Sequence, residues 1–174
     1  MLLSHLRRPE RYLSGAADAP AMPVVLELFA HHLKLSEPFL SFTDVMAGDE
    51  SSLDPSVREL VILRVAWRAR SGYEWHQHRR MGGDAGLTEA QLDAVPEGAG
   101  ADVWSPREQA VLAMVDELLE AVIVSDETWR TLSELFSPPQ LLELLFVAGG
   151  YLCLAGVLNS IGLQGDVTRV VEPS

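Results

Sequence analysis

The chain has 174 residues, of which 48% are hydrophobic, which is enough for one domain to bury a core without disulfides or structural metal. Its net charge of -12 and its one lysine, Lys34, argue against nucleic acid as a partner, because the chain would repel a phosphate backbone. Its one cysteine, Cys153, cannot form an internal disulfide, and the N-terminus lacks the apolar stretch of a signal peptide, so we expect a cytoplasmic protein.

Helix signals recur along the chain, whereas strand signals are nearly absent. The sequence contains no period-two run of β-branched residues and no Asn-Gly or Asp-Gly hairpin. We therefore predict an all-α fold, a single-domain helical bundle of about six to eight helices. The predicted helices cover about residues 22–34, 37–47, 55–70, 72–85, 88–94, 106–121, 126–136 and 139–163.

Several of these helices have clear start signals. In these signals a Ser, Thr or Asp side chain can accept a hydrogen bond from a backbone N–H of the first helical turn. A Glu or Gln three residues later can accept one from the backbone N–H of the capping residue. A proline at the first helical position adds to two of them. The start signals are Asp54-Pro55, Thr88 with Gln91, Ser105-Pro106 with Glu108, Ser125, and Ser137 with Gln140.

Residues 98–100, Gly-Ala-Gly, separate two halves that are too short for independent domains, so we predict one domain over residues 1–174 with a core at about 22–165. The longest apolar run, residues 144–158, falls short of the roughly 20 residues that cross a bilayer. We expect it to form a buried helix and expect no membrane partner. Its small residues, among them Gly149 and Gly156, predict close packing against another backbone, which a second subunit would supply.

Glu59 is an unusual polar residue in the predicted helix 55–70, which is apolar around most of its circumference. It shares a helical face with Ile62, Leu63 and Ala66, so its carboxylate faces apolar surroundings. Desolvation of this kind raises the pKa of a carboxyl group and suits it to general acid/base catalysis. The alternative is that Glu59 pairs with a buried arginine or hydroxyl and only shapes the fold.

Glu74 and His78 lie four residues apart, which places them side by side on one helical face. A carboxylate beside an imidazole selects its tautomer and raises its basicity. His76 lies two residues from each of them and is predicted to be a surface or interface histidine. With His31 and His32, these residues lack the His-x-x-x-His or Cys-x-x-Cys spacing of a zinc site, so we expect no metal and no cofactor.

Other side chains have two open interpretations. Trp67, Tyr73 and Trp75 could line a ligand pocket, but core packing is the favoured interpretation. Tyr151 and Asn159 lie eight residues apart, near one face of the last helix, and could bind a ligand or cap a subunit contact. Cys153 stands among apolar neighbours, which disfavour a thiolate, and we expect it to be buried in the core.

Residues 53–95 resemble the signature region of the carboxymuconolactone decarboxylase and alkylhydroperoxidase D-like superfamily, and the similarity continues more weakly through WSPREQAVLAMVDEL and the last helix. The resemblance implies the helical bundle of that superfamily. In its peroxidase branch a glutamate precedes a Cys-x-x-Cys pair and a histidine, at positions that match Glu59 and His78 here. The two cysteine positions fall on Ser71 and Glu74, so a disulfide-forming peroxidase cycle cannot operate.

The decarboxylase branch also lacks the cysteine pair and is similar at Glu74, His78 and the turn Gly86-Leu87-Thr88. The resemblance implies non-redox acid/base chemistry on a small lactone or carboxylate, with His78 as proton donor and Glu59 or Glu74 as its partner. A substrate carboxylate would also need a cation, for which the candidates are Arg58, Arg64, Arg79 and Arg80. The predicted substrate-binding residues are Ser71, Tyr73, Trp75, Arg58, Tyr151 and Asn159.

The first fifty residues resemble the leading helices of longer members, which assemble as trimers or hexamers. We therefore expect a homo-oligomer, whether dimer, trimer or hexamer. Two other functional hypotheses remain. One is a redox protein, supported by the superfamily and by Cys153, and the other is a non-catalytic binding or assembly protein that kept the fold.

Overall fold

The computed structural model describes residues 24–48 and 51–163, and no strand occurs in these two ranges. The all-α prediction is therefore confirmed. Contacts group the chain into two units, Met1–Glu50 and Ser51–Ser174. The prediction of one domain over residues 1–174 stays a prediction.

The first unit contains helices α1 (Val24–Ala30) and α2 (Leu33–Ala47). The break between them falls earlier than the predicted break between residues 34 and 37. His32 is the physical reason, because its Nδ1 accepts a hydrogen bond from the Leu35 backbone N–H at 3.3 Å and so caps the start of α2.

The second unit contains six α-helices and one 3₁₀ helix within its described residues. They are α3 (Pro55–Arg68), α4 (Gly72–Asp84), α5 (Glu89–Ala94), the 3₁₀ helix (Val95–Gly100), α6 (Pro106–Ala121), α7 (Asp126–Leu135) and α8 (Pro138–Ser160). Most of the predicted boundaries agree to within two residues. Helix α3 ends at Arg68 rather than residue 70, because Arg70 adopts a left-handed backbone with φ of 55°.

Helix α3 lies at the centre of this unit. Its ten successive residues from 57 to 66 are all buried, and it contacts α4, α6, α8 and the 3₁₀ helix. A helix covered on every side buries its polar residues together with its apolar ones, which explains why Arg58, Glu59 and Arg64 are all in the interior.

The capping signals correspond to observed helix starts. Thr88 and Ser105 form complete capping boxes with Gln91 and Glu108. Asp54 departs from the expectation, because it occupies the N-cap position of α3 without capping through its side chain. Its carboxylate instead accepts a hydrogen bond from Arg107 Nη1 at 2.7 Å, and an ion pair competes directly with a cap for the same oxygens.

Helix α8 differs from the sequence prediction in its apolar length and in the exposure of the side that carries Cys153. It spans 23 residues and is long and apolar enough to cross a membrane by length and composition alone, although the core helix of a soluble protein passes the same test. It contacts α3, and Leu144, Ala148 and Leu158 are fully buried. Cys153 is exposed, so the expectation of a core cysteine is wrong. The helix turns that side outward, together with Gly149 and Gly156, which have open space around them.

Candidate functional site

The site is built on the hairpin of α3 and α4, whose connecting turn is only three residues long. Glu59 on α3 and His78 on α4 are both buried, Glu59 being 3% exposed. His78 Nδ1 lies 2.7 Å from Glu59 Oε2. When Glu59 is charged, the Nδ1–H of His78 donates to it, so the lone pair of Nε2 is left to accept a proton.

Tyr151 of α8 completes the immediate surroundings of this pair. Its ring meets the His78 ring edge-to-face, with ring centroids 5.1 Å apart and an interplanar angle of 89°. Such an aromatic contact holds the imidazole plane in one orientation. The structure therefore places Tyr151 beside His78, and Asn159 elsewhere: its Nδ2 donates to the Ala69 carbonyl at 2.8 Å, at the C-terminal end of α3.

Glu74 lies one helical turn before His78 on α4 and is 2% exposed. Burial raises the pKa of its carboxyl group from 4.5 to about 7, against a smaller lowering by the neighbouring Ser71 hydroxyl. Within the described residues neither Glu74 oxygen, nor the Ser71 oxygen, has a hydrogen bond of full geometry. Glu74 is therefore a buried carboxyl group that exchanges its proton near neutral pH.

Arg58 is buried beside Glu59, with its Nε 4.0 Å from Glu59 Oε1. Its guanidinium therefore lies at ion-pair distance from the carboxyl group that contacts His78. The Arg58 Nε has no hydrogen-bond partner among the described residues. Arg58 thus adjoins the acid/base pair instead of lining the open surface nearby.

That open surface is a cleft at the turn between α3 and α4, which we name the turn cleft. Its volume is about 580 Å³. It is lined by Ala66, Trp67, Arg68, Arg70, Ser71, Gly72 and Trp75. Glu74 and His78 follow Ser71 on the same face of α4, three and seven residues on, so the cleft, Glu74 and the acid/base pair lie along one side of this helix.

Core packing was the favoured interpretation of Trp67, Tyr73 and Trp75. That interpretation is wrong for the two tryptophans. Trp67 is 46% exposed, and it packs against Trp75 with ring centroids 5.4 Å apart. Both line the turn cleft, as does the predicted residue Ser71. Tyr73 points the other way and is buried. Helix α3 covers one side of α4 and leaves the side with Trp75 half open.

Three of the arginines suggested as cations for a substrate already pair with carboxylates and do not line the cleft. Arg64 binds Asp116, Arg79 binds Glu89 and Asp93, and Arg80 lies 3.6 Å from Asp84. Arg70 was missed, because the sequence places it inside a predicted helix. The signal that could have found it is its position between two helices, where a residue outside the helical ladder projects into solvent.

Residues 36–117 match the sequence model of the Carboxymuconolactone decarboxylase family. The chain matches no curated protein sequence. Among solved structures, it is similar to an uncharacterized peroxidase-related protein from Ralstonia eutropha with an alkylhydroperoxidase AhpD core. The TM-score is 0.77 and the identity 19%, over 95% of this chain and 89% of that one.

A second similar structure is a protein of unknown function from Agrobacterium tumefaciens, whose description relates it to the antioxidant defence protein AhpD. The TM-score is 0.74 and the identity 16%, over 80% of this chain and 96% of that one. At these identities the two structures show the fold, and the family model adds the sequence relationship. The family match over residues 36–117 and the shared fold together support a relationship of this chain to the carboxymuconolactone decarboxylase and alkylhydroperoxidase D-like superfamily.

Proposed function

We propose that this protein is a non-redox enzyme that performs acid/base chemistry, a decarboxylation or related lyase or hydrolase step, on a small oxygenated substrate. The observation that carries the proposal is the buried Glu59–His78 hydrogen bond of 2.7 Å with a protonatable carboxyl group, Glu74, one helical turn away. Two carboxyl groups in different states around one imidazole are the usual components of a proton-transfer site.

In this proposal Glu59 accepts a hydrogen bond from His78 Nδ1 and so selects the His78 tautomer with a proton on Nδ1. His78 Nε2 then takes or gives the proton at the substrate, and Glu74 exchanges protons between the interior and Ser71 at the cleft. In a decarboxylation the carbon–carbon bond to the carboxylate breaks and carbon dioxide leaves. The electron pair of that bond forms an enolate, and His78 Nε2 delivers a proton to the carbon that carried the carboxylate. Decarboxylation fits the Carboxymuconolactone decarboxylase family, whose sequence model matches residues 36–117, and Arg58 lies beside Glu59 to help position it.

Turnover of lactone carboxylates by site variants tests this proposal. We expect Glu59→Gln and His78→Gln to lower kcat/KM by roughly 100- to 10,000-fold, the usual range for removal of a positioned acid or base. His76→Gln is the matched control, because His76 is an exposed histidine two residues from His78 on the same helix. Full turnover by both site variants would rule out the proposal.

A thiol peroxidase is the second candidate, and two observations favour it: the fold shared with AhpD-related structures and the exposed thiol of Cys153. Against it, Ser71 and Glu74 occupy the positions of the cysteine pair, and Cys153 has no second cysteine in the chain to form a disulfide. Peroxide consumption that disappears in Cys153→Ser would favour this candidate over the acid/base enzyme. A non-catalytic binding protein would show neither activity.

The proposal includes a small molecule as the binding partner, assembly as a homo-oligomer and a cytoplasmic location. The exposed side of α8 supports the assembly, because Leu142 and Val157 are about half exposed and Gly149 and Gly156 leave room for a second backbone. Light scattering on the purified protein measures the number of subunits. A monomer at all concentrations would rule out the assembly.

A further inference from the structure

The turn cleft is positively charged within an acidic protein. The chain has a net charge of -12, yet among residues 24–48 and 51–163 those that line the cleft include two arginines and no acidic residue. Arg68 is already paired, since its Nη1 lies 2.8 Å from Asp116 Oδ1. Arg70 is exposed and forms no ion pair with any residue that the structure describes. Its guanidinium is therefore available for an anion from solution.

Ser71 supplies a second observation. Its side chain is 1% exposed and lines the cleft, and its hydroxyl has no hydrogen bond of full geometry within the described chain, only a contact with the Glu74 carboxyl group. A buried hydroxyl held by so weak a contact can also donate to an anion in the cleft. Ser71 also stands at the N-terminal end of α4, a helix of 13 residues, and the positive end of a helix dipole favours an anion.

The indole rings define the shape of the ligand. Trp67 and Trp75 lie against each other at an interplanar angle of 55°, and Trp67 leaves almost half of its surface open to the cleft and solvent. An exposed indole face favours a flat, unsaturated ring over a puckered one, because stacking brings more atoms into contact. The cation and the rings lie in the same cleft, which suits one small molecule that carries both features.

We propose that the turn cleft binds a small planar anion, an aromatic or conjugated carboxylate, whose charged group contacts Arg70 and Ser71 and whose ring lies against Trp67 and Trp75. This inference deepens the proposed function, and it rests on that function only for the identity of the ligand as substrate. Arg70 is then the residue that makes the cleft prefer an anionic ligand to a neutral one. Arg70 lies in the turn between α3 and α4 with a left-handed backbone, φ 55°, and lines the cleft.

Three probes of similar size test charge and planarity separately. Benzoate is planar and charged, benzamide is planar and neutral, and cyclohexanecarboxylate is charged and puckered. We expect benzoate to bind at least about tenfold more tightly than either of the others, measured by calorimetry and by quenching of tryptophan fluorescence. Equal binding of benzoate and benzamide, or no binding of benzoate, overturns the proposal.

Substitutions of the cleft residues test which side chains contact the ligand. Arg70→Gln is expected to weaken benzoate binding at least about tenfold and to leave benzamide binding unchanged, because only the charge interaction is lost. Arg80→Gln is the matched control, an exposed arginine on α4 outside the cleft. Trp67→Leu is expected to weaken both planar probes alike. Unchanged benzoate binding in Arg70→Gln overturns the assignment, and circular dichroism checks that each variant folds.

The same probes separate this inference from the proposed function. Glu59→Gln is expected to lose turnover and keep benzoate binding, because Glu59 does not line the cleft. If Glu59→Gln keeps turnover while benzoate binding depends on Arg70, the proposed function fails and the binding site stands. If turnover depends on Glu59 while benzoate does not bind, the binding site fails and the proposed function stands.

Discussion

Two buried clusters of charged side chains share helix α3 and differ in how completely their polar groups are paired. The first, which we name the strut cluster, consists of Arg64, Asp116 and the carbonyl groups of Val95 and Pro96. Arg64 donates hydrogen bonds through all three of its side-chain nitrogens. Its Nε and Nη2 bind the two oxygens of Asp116 at 2.8 and 2.7 Å, and its Nη1 binds the Val95 and Pro96 carbonyls at 2.7 and 3.0 Å. It joins α3 to α6 and to the 3₁₀ helix.

The second is the acid/base cluster of Glu59, Glu74, His78 and Ser71. One strong hydrogen bond joins Glu59 to His78, while Glu74 and Ser71 contact each other without a hydrogen bond of full geometry and have none to any other described residue. A fold that needed only stability would gain by pairing these atoms or replacing them with apolar ones. The difference indicates that the strut cluster holds the bundle together, whereas the acid/base cluster leaves polar atoms available for the proton transfers of the proposed function.

Removal of Arg64 is expected to have the largest effect on stability. Arg64→Ala leaves the Val95 and Pro96 carbonyl oxygens without this donor and leaves Asp116 with Arg68 alone, which costs about 3–5 kcal/mol of unfolding free energy. Urea unfolding at pH 7 measures the loss. Arg80→Ala, at an exposed ion pair, should change stability by less than about 1 kcal/mol. A similar small loss in Arg64→Ala would show that the strut cluster does not hold the helices together.

Glu74 should give a stability difference that depends on pH. Folding raises its pKa from 4.5 to about 7, so the folded chain binds more protons than the unfolded chain between these values. The stability contribution of Glu74 is therefore present below pH 4.5 and is lost as the pH rises through about 7. Glu74→Gln removes this dependence, so its stability relative to the original protein should rise by about 2–3 kcal/mol between pH 5 and pH 8.

Unfolding in urea at the two pH values measures the Glu74 effect. Glu134→Gln is the control, because Glu134 is exposed on α7 and its substitution should produce no change with pH. A constant difference between Glu74→Gln and the original protein at both pH values would mean that Glu74 is not held neutral by burial. The acid/base cluster would then resemble the strut cluster.

Gly98 tests how closely the strut cluster is packed. Its φ is 78°, and a Cβ at this position would lie 2.6 Å from Arg64 Nη2. Gly98→Ala should cost about 2 kcal/mol through the left-handed backbone and the displaced guanidinium. Gly100→Ala is the matched control two residues on, where a Cβ meets nothing within 4 Å. Thermal unfolding compares the two, and equal midpoints would mean that Arg64 moves without cost.

Among the four residues substituted in these experiments, Arg68 is expected to have the smallest effect on the free energy of unfolding. It binds the same Asp116 oxygen as Arg64 but is about one-third exposed, so water screens the interaction. Arg68→Ala should cost less than about 1 kcal/mol in the same urea experiment. A loss as large as that of Arg64→Ala would place Arg68 among the residues that hold the strut cluster together.

Local sequence signals predicted much of the bundle. Capping residues such as Thr88 and Ser105 predicted helix starts because they hydrogen-bond within their own first turn, so no distant residue is needed. The apolar circumference of residues 55–70 predicted a central helix, and Glu59 and His78 were singled out before their contact was known. What the sequence could not supply was the contact itself, because it depends on how α3 and α4 pack.

The outward-facing residues show the limit of the same reasoning. Cys153 and Trp67 have apolar side chains in apolar segments, yet both are exposed, because a helix face is buried only where a neighbouring element covers it. Arg64 and Arg70 likewise look alike in the sequence. One is buried against Asp116, 52 residues away, and the other extends from a turn.

The sequence by itself determined the helical class, most helix limits, the superfamily and the residue types from which an acid/base site could be built. These follow from hydrogen bonds and periodicity within a few residues of chain, together with the pattern of the signature region. Only the tertiary structure decided which buried charges are paired, that Glu74 has a raised pKa, and that Arg70 faces a cleft. Desolvation and ion pairing depend on atoms brought together from distant helices, and no local pattern encodes their distances.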